Sequence, residues 1–197
     1  MPSTLTRTEG TAAFKEWAVS CEALGEGRQV MLLRKGGISE KGRSFTVDHP
    51  SFFLYPTFEH QDGESVKPEA QGLLGKALAE RPAAGRVVVR HWAKVDQAWA
   101  LDSMAPVLAQ DANHIYSERS VRERWDWHPE KPLWLLLLRV HRLQRPLELE
   151  VLPGYGGCRS WIDLSLPAAE EGLPCEAVLD DAAYAAKAAA VRTRLGA

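Results

Sequence analysis

The stretch Leu133 to Leu143, LWLLLLRVHRL, restricts the folds open to this chain more than any other. Its apolar heart, Leu133 to Leu138, is the longest apolar run present, and it is far too short to span a membrane as a helix. It is the strongest strand signal in the sequence. Leu147 to Val151 and Arg159 to Leu164 read as strands that pair nearby, with the PGYGG run between them as a turn. Gln29 to Arg34 is almost wholly apolar as well, which suits a strand in the middle of a sheet.

The remaining pattern alternates between helix and strand. Phe14, Trp17, Ala18, Cys21 and Leu24 recur at helical spacing, which predicts a helix over 11–24, capped by Thr11 and stopped by Gly25 and Gly27. Ser44 to Val47 and Phe52 to Tyr55 read as two strands. Pro68 opens a helix through Glu80 with Leu73, Leu74, Ala77 and Leu78 on one face. Arg86 to Val95 is a strand with Val87, Val89 and Val95 on one side and Arg86, Arg90, Trp92 and Lys94 on the other. Residues 102–125 predict two helical pieces capped by Asp102 and Ser117, and 176–195 predict an Ala-rich helix. The short links between strands imply hairpins. The expected architecture is α+β: a single domain over 11–166 with a mixed, largely antiparallel sheet flanked by helices, plus a C-terminal helical extension over 176–195.

Composition narrows the class. The chain has 197 residues, 45% of them hydrophobic and 25% charged, enough for one ordinary core. A formal net charge of -2 argues against a uniformly basic nucleic-acid coat, though not against a local basic patch. The three cysteines, Cys21, Cys158 and Cys175, are odd in number and widely spaced, which disfavours a disulfide framework or a structural zinc site. No secretory signal opens the chain, so a reduced, cytoplasmic protein without a membrane span is expected.

Three groups of residues carry chemistry. Lys35-Gly36-Gly37 follows the Gln29 strand; the glycines permit a tight turn with exposed N–H groups and the lysine adds charge, a combination that suits a phosphate or carboxylate. The bland alternative is a hairpin turn with a solvated lysine. Glu59-His60-Gln61 follows the Phe52 strand; with Asp62 and Glu64 nearby it offers a proton-transfer group and oxygen ligands for a divalent ion, against the alternative of an ordinary strand end. Basic residues interleaved with aromatics form the third group: Arg90 and Lys94 beside Trp92, Arg122 and Arg124 before Trp125 and Trp127, Arg139 with His141, and Arg159 after the glycine turn. Arg and Lys neutralise phosphates and Trp stacks on unpaired bases, whereas the alternative is ion pairing with the 26 acidic residues and burial of Trp. Cys158 beside Arg159 lacks a local histidine and reads as a structural thiol.

The segments FKEWAV (Phe14 to Val19), LLRKGGI (Leu32 to Ile38), YPTFEHQ (Tyr55 to Gln61), VRERWDWHP (Val121 to Pro129), LLLRVHRL (Leu136 to Leu143) and GCRSWIDL (Gly157 to Leu164) together resemble a bacterial family known as domain of unknown function 1802. The resemblance spans about residues 14–164 and leaves the Ala-rich tail after Leu166 outside. It implies a single-domain bacterial cytoplasmic protein and brings no activity. At the level of fold, LWLLLLRVHRLQRP is similar to the late core strand of PUA-like partial barrels, which bind RNA or modified bases. The element order over 11–91 is similar to the restriction-endonuclease-like core, which needs an Asp and a Glu-x-Lys pair holding Mg²⁺; here Gln61 stands where the lysine is expected.

The first expectation is therefore an accessory domain that binds nucleic acid or a phosphate-bearing ligand without a cofactor, through Lys35, Gly36, Gly37, Gln61, Arg90, Trp92, Arg124, Arg139 and Arg159. The second is a nuclease or phosphodiesterase with Asp48 and Glu59 as Mg²⁺ ligands and His60 as base. The third is an interaction module that forms a homo-oligomer through its C-terminal helix. The residues leave open whether the chain is an enzyme.

Overall fold

The computed structural model describes residues 5–35, 47–157, 159–167 and 172–196. In chain order the elements are β1 (Thr6–Arg7), β2 (Ala12–Trp17), α1 (Ala18–Gly25), β3 (Met31–Arg34), β4 (Ser51–Thr57), α2 (Gln71–Ala79), β5 (Arg86–Leu101), α3 (Met104–Leu108), α4 (Glu118–Asp126), β6 (Leu133–Glu150), β7 (Trp161–Asp163), β8 (Pro174–Ala177) and α5 (Asp181–Leu195). The strands make one mixed sheet in the order β1-β8-β6-β5-β4-β2-β7, with β3 on the free side of β6. Only β2 and β4 run parallel among the described pairs; all others are antiparallel.

The sheet is organised by β6. The predicted strands Leu133–Leu143 and Leu147–Val151 are one continuous strand that pairs with β5 from Leu133↔Leu101 to Glu150↔Arg86. On its other side β3 takes Trp134 to Leu137 and β8 takes His141 to Leu143. Leu135 to Leu138 are 0% exposed because strands flank them and side chains cover both faces. Burying each such leucine is worth roughly 1.5–3 kcal/mol as an upper estimate.

Two cores result. The helix side holds Phe14, Phe52, Leu54, Met31 to Leu33 and residues of α1, α2 and α5. The inner side holds Phe53, Tyr55, Val87, Val89, Trp92, Leu143, Leu147, Ile162 and Cys175. Ile162 on β7 and Cys175 on β8 lie near opposite ends of the strand order yet share one cluster, so the sheet curls around it as an open partial barrel.

Several sequence expectations shift. Ala12–Trp17 is a strand rather than the first half of a helix, since it pairs with β4 and β7; only Ala18–Gly25 is helical. The helix expected to open a restriction-endonuclease-like order is thus absent at that place. Residues 174–177 join the sheet as β8, and the Ala-rich helix begins at Asp181, capped by Asp180. Ser103 rather than Asp102 precedes α3, whereas Ser117 caps α4 as expected by accepting from the Ser120 N–H. The Ser44 strand falls mostly outside the described residues.

Two irregularities in β5 redirect side chains. The register with β6 shifts between Val89 and His91 and again between Val95 and Gln97. Such a bulge reverses which residues face inward. Val89 and Trp92 both enter the inner core, while Arg90 and His91 both face the helix side. At the second shift Asp96 is the unpaired residue; it accepts from Tyr184 at 3.0 Å and Arg192 at 2.6 Å, tying α5 to the sheet.

Candidate functional site

Three dipeptides from three elements meet at one end of the sheet: Glu16-Trp17 closing β2, Arg34-Lys35 closing β3, and Arg124-Trp125 in the last turn of α4. The Arg34 guanidinium lies 3.8 Å from the Glu16 carboxylate, donates to Ser160 Oγ at 3.1 Å, and sits 5.0 Å from the Phe14 ring centre. The Arg124 guanidinium lies 4.0 Å from the Trp17 ring centre and 4.2 Å from the Tyr116 ring centre, in the corner where the two rings meet edge-on. The Lys35 ammonium donates to the Trp125 carbonyl and lies 5.0 Å from that ring's centre. Each dipeptide thus touches at least one other.

Local sequence explains the placement. Glu16 projects from a strand that alternates between the two cores, so its carboxylate is carried into the interior at 2% exposure. One of its oxygens accepts the Trp17 N–H at 2.8 Å, and Arg34 stands beside the other. Trp161 on β7 packs edge-on to Phe14 and Phe52 and completes an apolar wall behind Arg34. Arg34 and Arg124 remain partly exposed, so the cluster opens to solvent at the two guanidinium groups. Trp127, one turn on from Arg124, is 48% exposed.

Burial sets the electrostatics. It pushes the Lys35 ammonium below its ordinary pKa, and Glu130 and Asp126 oppose the shift. It raises the Tyr116 hydroxyl, with Glu16 adding to the effect. The Cys21 thiol is raised for the same two reasons in the same order. The Glu16 carboxylate therefore acts on the same buried space that Arg124 and Tyr116 occupy.

Of the residues expected from sequence, Lys35 and Arg124 belong to this cluster. Gly36 and Gly37 lie outside the described residues, as does Cys158. Arg159 is exposed next to Ser160. Trp92 is 0% exposed in the inner core, where the first bulge turns it, so it packs rather than offering a face to a ligand. Arg139 lies over the Tyr184 ring at 4.6 Å and pairs with Asp181 at 2.7 Å, which gives it a place in docking α5. Arg90 faces a surface cleft of about 520 Å³ between α1, α2 and β6. There Arg90 pairs with Glu80 at 3.4 Å, Lys76 with Glu22 and Glu26 at 3.0 and 2.9 Å, and Arg142 donates to the Gly25 carbonyl at 2.8 Å.

The Glu59-His60-Gln61 segment sits elsewhere. Lys35 ends a strand paired with β6, whereas Glu59 follows a strand paired with β2 and β5, so the two do not close one hairpin. Glu59 is exposed and lies 3.8 Å from Arg81; His60 is exposed in a turn at φ 58°. Gln61 is buried and structural: its carbonyl accepts the Val19 N–H at the start of α1, and its amide donates to the Thr57 carbonyl. Asp48 is exposed. Among the described residues no group of three or more His, Cys, Asp and Glu is placed to hold a metal ion, and no helix is long and apolar enough to cross a membrane. The apolar side chains Ala188 and Val191 of α5 are buried against the chain's own core.

Sequence reading missed Glu16, Trp17, Arg34 and Ser160. The available signal was Glu16 itself, a carboxylate on the same face of the strand AAFKEW as Ala12 and Phe14.

An open, mixed sheet that curls around an inner core and carries helices on its other side defines an α+β domain. Among solved structures it is similar to an ASCH protein from Zymomonas mobilis, with TM-score 0.50, 16% identity, and coverage of 81% of this chain and 89% of that one. A serine-to-alanine variant of that protein gives TM-score 0.47, 14% identity, and coverage of 80% and 90%. The chain belongs to the family described as domain of unknown function, DUF1802, whose model matches residues 13–190 and so runs on into α5. Comparison with curated proteins finds no match.

Proposed function

We propose that this domain is a cytoplasmic accessory module that binds nucleic acid, gripping a single strand at the end of the sheet where Glu16-Trp17, Arg34-Lys35 and Arg124-Trp125 meet. The observation that carries the reading is this convergence of three cationic side chains with two tryptophans, Trp17 and Trp125, with the exposed Trp127 two residues further along the chain. Cationic groups neutralise phosphates, and indole rings stack on unpaired bases at roughly 1–3 kcal/mol each. The likeness of the open partial barrel to PUA-like domains supports the same reading at the level of fold.

Anisotropy titrations with labelled single-stranded DNA, duplex DNA and RNA, in Mg²⁺ and in EDTA, test it. Expected is binding that weakens steeply with salt, is indifferent to EDTA, and drops on Lys35→Glu. No binding of any strand at low salt overturns the proposal. Mg²⁺-dependent shortening of the strand on a gel replaces it with the nuclease reading.

A further inference from the structure

The surface cleft of about 520 Å³ between α1, α2 and β6 adjoins a smaller pocket. Glu22, Glu80, Arg90 and His91 line both, so the two form one continuous space. The walls of the larger part are mostly charged, and the smaller part adds Leu54, Pro56, Phe58 and Val88. Such a volume, with apolar walls and a few placed polar groups, is in the range of small-molecule sites.

Most of the charge in the cleft is paired. Lys76 pairs with Glu22 and Glu26, and Arg90 pairs with Glu80. Arg142 is the exception: among the described residues no carboxylate pairs with it, and it donates to the Gly25 carbonyl at 2.8 Å. A guanidinium carries five N–H donors, so most of those on Arg142 are unused. His91 stands directly opposite Arg142 in the β5–β6 ladder, in the space that Gly25 leaves by lacking a Cβ. His91 is 5% exposed, yet nothing among the described residues hydrogen-bonds its ring. Burial, then Arg142, Arg90 and Lys76, lower its pKa to about 4, so at neutral pH the imidazole is uncharged and offers one N–H donor. The charged groups that act on this ring are all cations.

These features select a small anion. A cation meets carboxylates that are already paired, and three positive charges around His91. A nucleic-acid strand brings a line of phosphates past Glu22, Glu26 and Glu80, which repel it. A phosphate dianion meets that repulsion with doubled charge. A carboxylate carries one charge on a planar group that matches the fork of a single guanidinium. Water satisfies the polar wall but gains nothing from the apolar one beside it. A carboxylate with an apolar body attached uses both.

We infer that this cleft binds a small amphiphilic monocarboxylate, its head accepting from Arg142 and from the His91 ring N–H, its aliphatic or aromatic body lying towards Leu54, Phe58 and Val88. The site is separate from the nucleic-acid cluster. That cluster adjoins Trp17 at the head of α1, whereas Gly25 closes the helix about 12 Å further on. The inference therefore goes beyond the nucleic-acid reading and does not depend on it.

Benzoate and butyrate are the probes, titrated into the full chain by calorimetry at fixed ionic strength. Acetate, benzamide, benzylamine and inorganic phosphate are the comparisons. Expected is saturable binding of benzoate or butyrate, at least about tenfold tighter than any comparison, since each of these lacks the apolar body or the single planar charge. Arg142→Gln, at an exposed position, is expected to keep the fold and weaken benzoate binding by at least about fivefold. In the unsubstituted chain, side-chain nitrogen NMR is expected to show the His91 ring signals moving with benzoate while those of His114, which lines neither part of the space, stay in place. Benzamide or phosphate binding as tightly as benzoate overturns the carboxylate assignment. Unchanged affinity in Arg142→Gln, or His91 signals that stay still at saturation, puts the binding elsewhere and overturns the site. No saturable binding of either probe overturns the inference, whatever the oligonucleotide titrations give.

Discussion

The Arg124 guanidinium stands 4.0 Å from the centre of the Trp17 ring, joining the last turn of α4 to the junction of β2 and α1. With the adjoining Tyr116 ring it makes a second cation–π contact, and each is worth about 0.5–2 kcal/mol depending on desolvation. Lysine in that position keeps the charge but loses the planar stack and the fixed donors. Arg124→Lys is expected to lower stability by about 1 kcal/mol and single-strand affinity by about tenfold. Arg122→Ala, which breaks only an exposed pair with Glu118, is expected to shift stability by under about 1 kcal/mol. Urea denaturation and anisotropy on both variants check this; equal effects of the two substitutions contradict it.

Gly25 ends α1 directly against the buried His91 ring, and a Cβ there would overlap the imidazole. Neither side yields easily, because the bulge in β5 fixes His91 and Arg142 holds the Gly25 carbonyl. Gly25→Ala is expected to cost about 1–3 kcal/mol despite the better helix propensity of alanine. A midpoint in urea at or above that of the parent would show that the ring moves aside freely.

Gln61 and Glu59 are near neighbours in sequence with opposite roles. Gln61→Ala leaves the Val19 N–H at the head of α1 without its acceptor and is expected to cost about 1–2 kcal/mol. Glu59→Ala removes a surface pair with Arg81 and is expected to change stability by less than about 1 kcal/mol. Glu59→Ala is also expected to leave nucleic-acid binding unchanged. Thermal melts of the two variants side by side, with one binding titration, check the contrast. A large binding loss in Glu59→Ala would move the site.

His91 and His114 are both buried, and burial holds the pKa of each at about 4, with Arg142, Arg90 and Lys76 adding to the effect at His91 and Lys67 at His114. The ordinary value is 6.5, so on acidification the unfolded chain takes up these protons before the folded one does. The stability these groups contribute is complete above that value and declines as pH falls towards about 4. At about pH 5 the loss is expected to be on the order of 2 kcal/mol per histidine. Urea midpoints at about pH 7.5 and pH 5 measure it; equal midpoints would mean that the rings become solvated without unfolding.

The long apolar runs were legible because continuous hydrophobicity has one outcome in a central strand. Leu133 to Leu138 and Met31 to Leu33 fall where such residues belong. The helical spacing of Phe14, Trp17, Ala18 and Cys21 was misleading over its first half. The true helix starts at Ala18, and the aromatic residues before it match the helix period by coincidence while alternating in a strand. Trp92 was placed on the basic face because strict alternation puts it with Arg90; the bulge that turns it inward is visible only in the pairing with β6. Its one sequence trace is Pro146 in the partner strand, a residue that regular ladders exclude. At the site, basic residues beside tryptophans identified Lys35 and Arg124. Glu16 and Arg34 could not be joined from sequence, since β2 and β3 are not paired to each other and meet only through the curvature of the sheet.

The strand pairings are nested: Thr6 finds Cys175, Ala12 finds Asp163, and Met31 finds Leu137. β1 and β3 therefore wait for late strands, and β2, which pairs with β4 early, gains its second neighbour late. During synthesis Met31 to Leu33 have no sheet partner among the described residues until Leu135 to Leu137 emerge, a delay on the order of ten seconds at ordinary elongation rates. The one extensive local pairing is between β5 and β6, so that hairpin is the natural nucleus onto which earlier segments are drawn back. The topology makes this a slow-folding chain in which the most apolar of the early strands is left without its described partner for most of β6's upstream sequence. Its yield in a cell depends on what shields that strand during the wait.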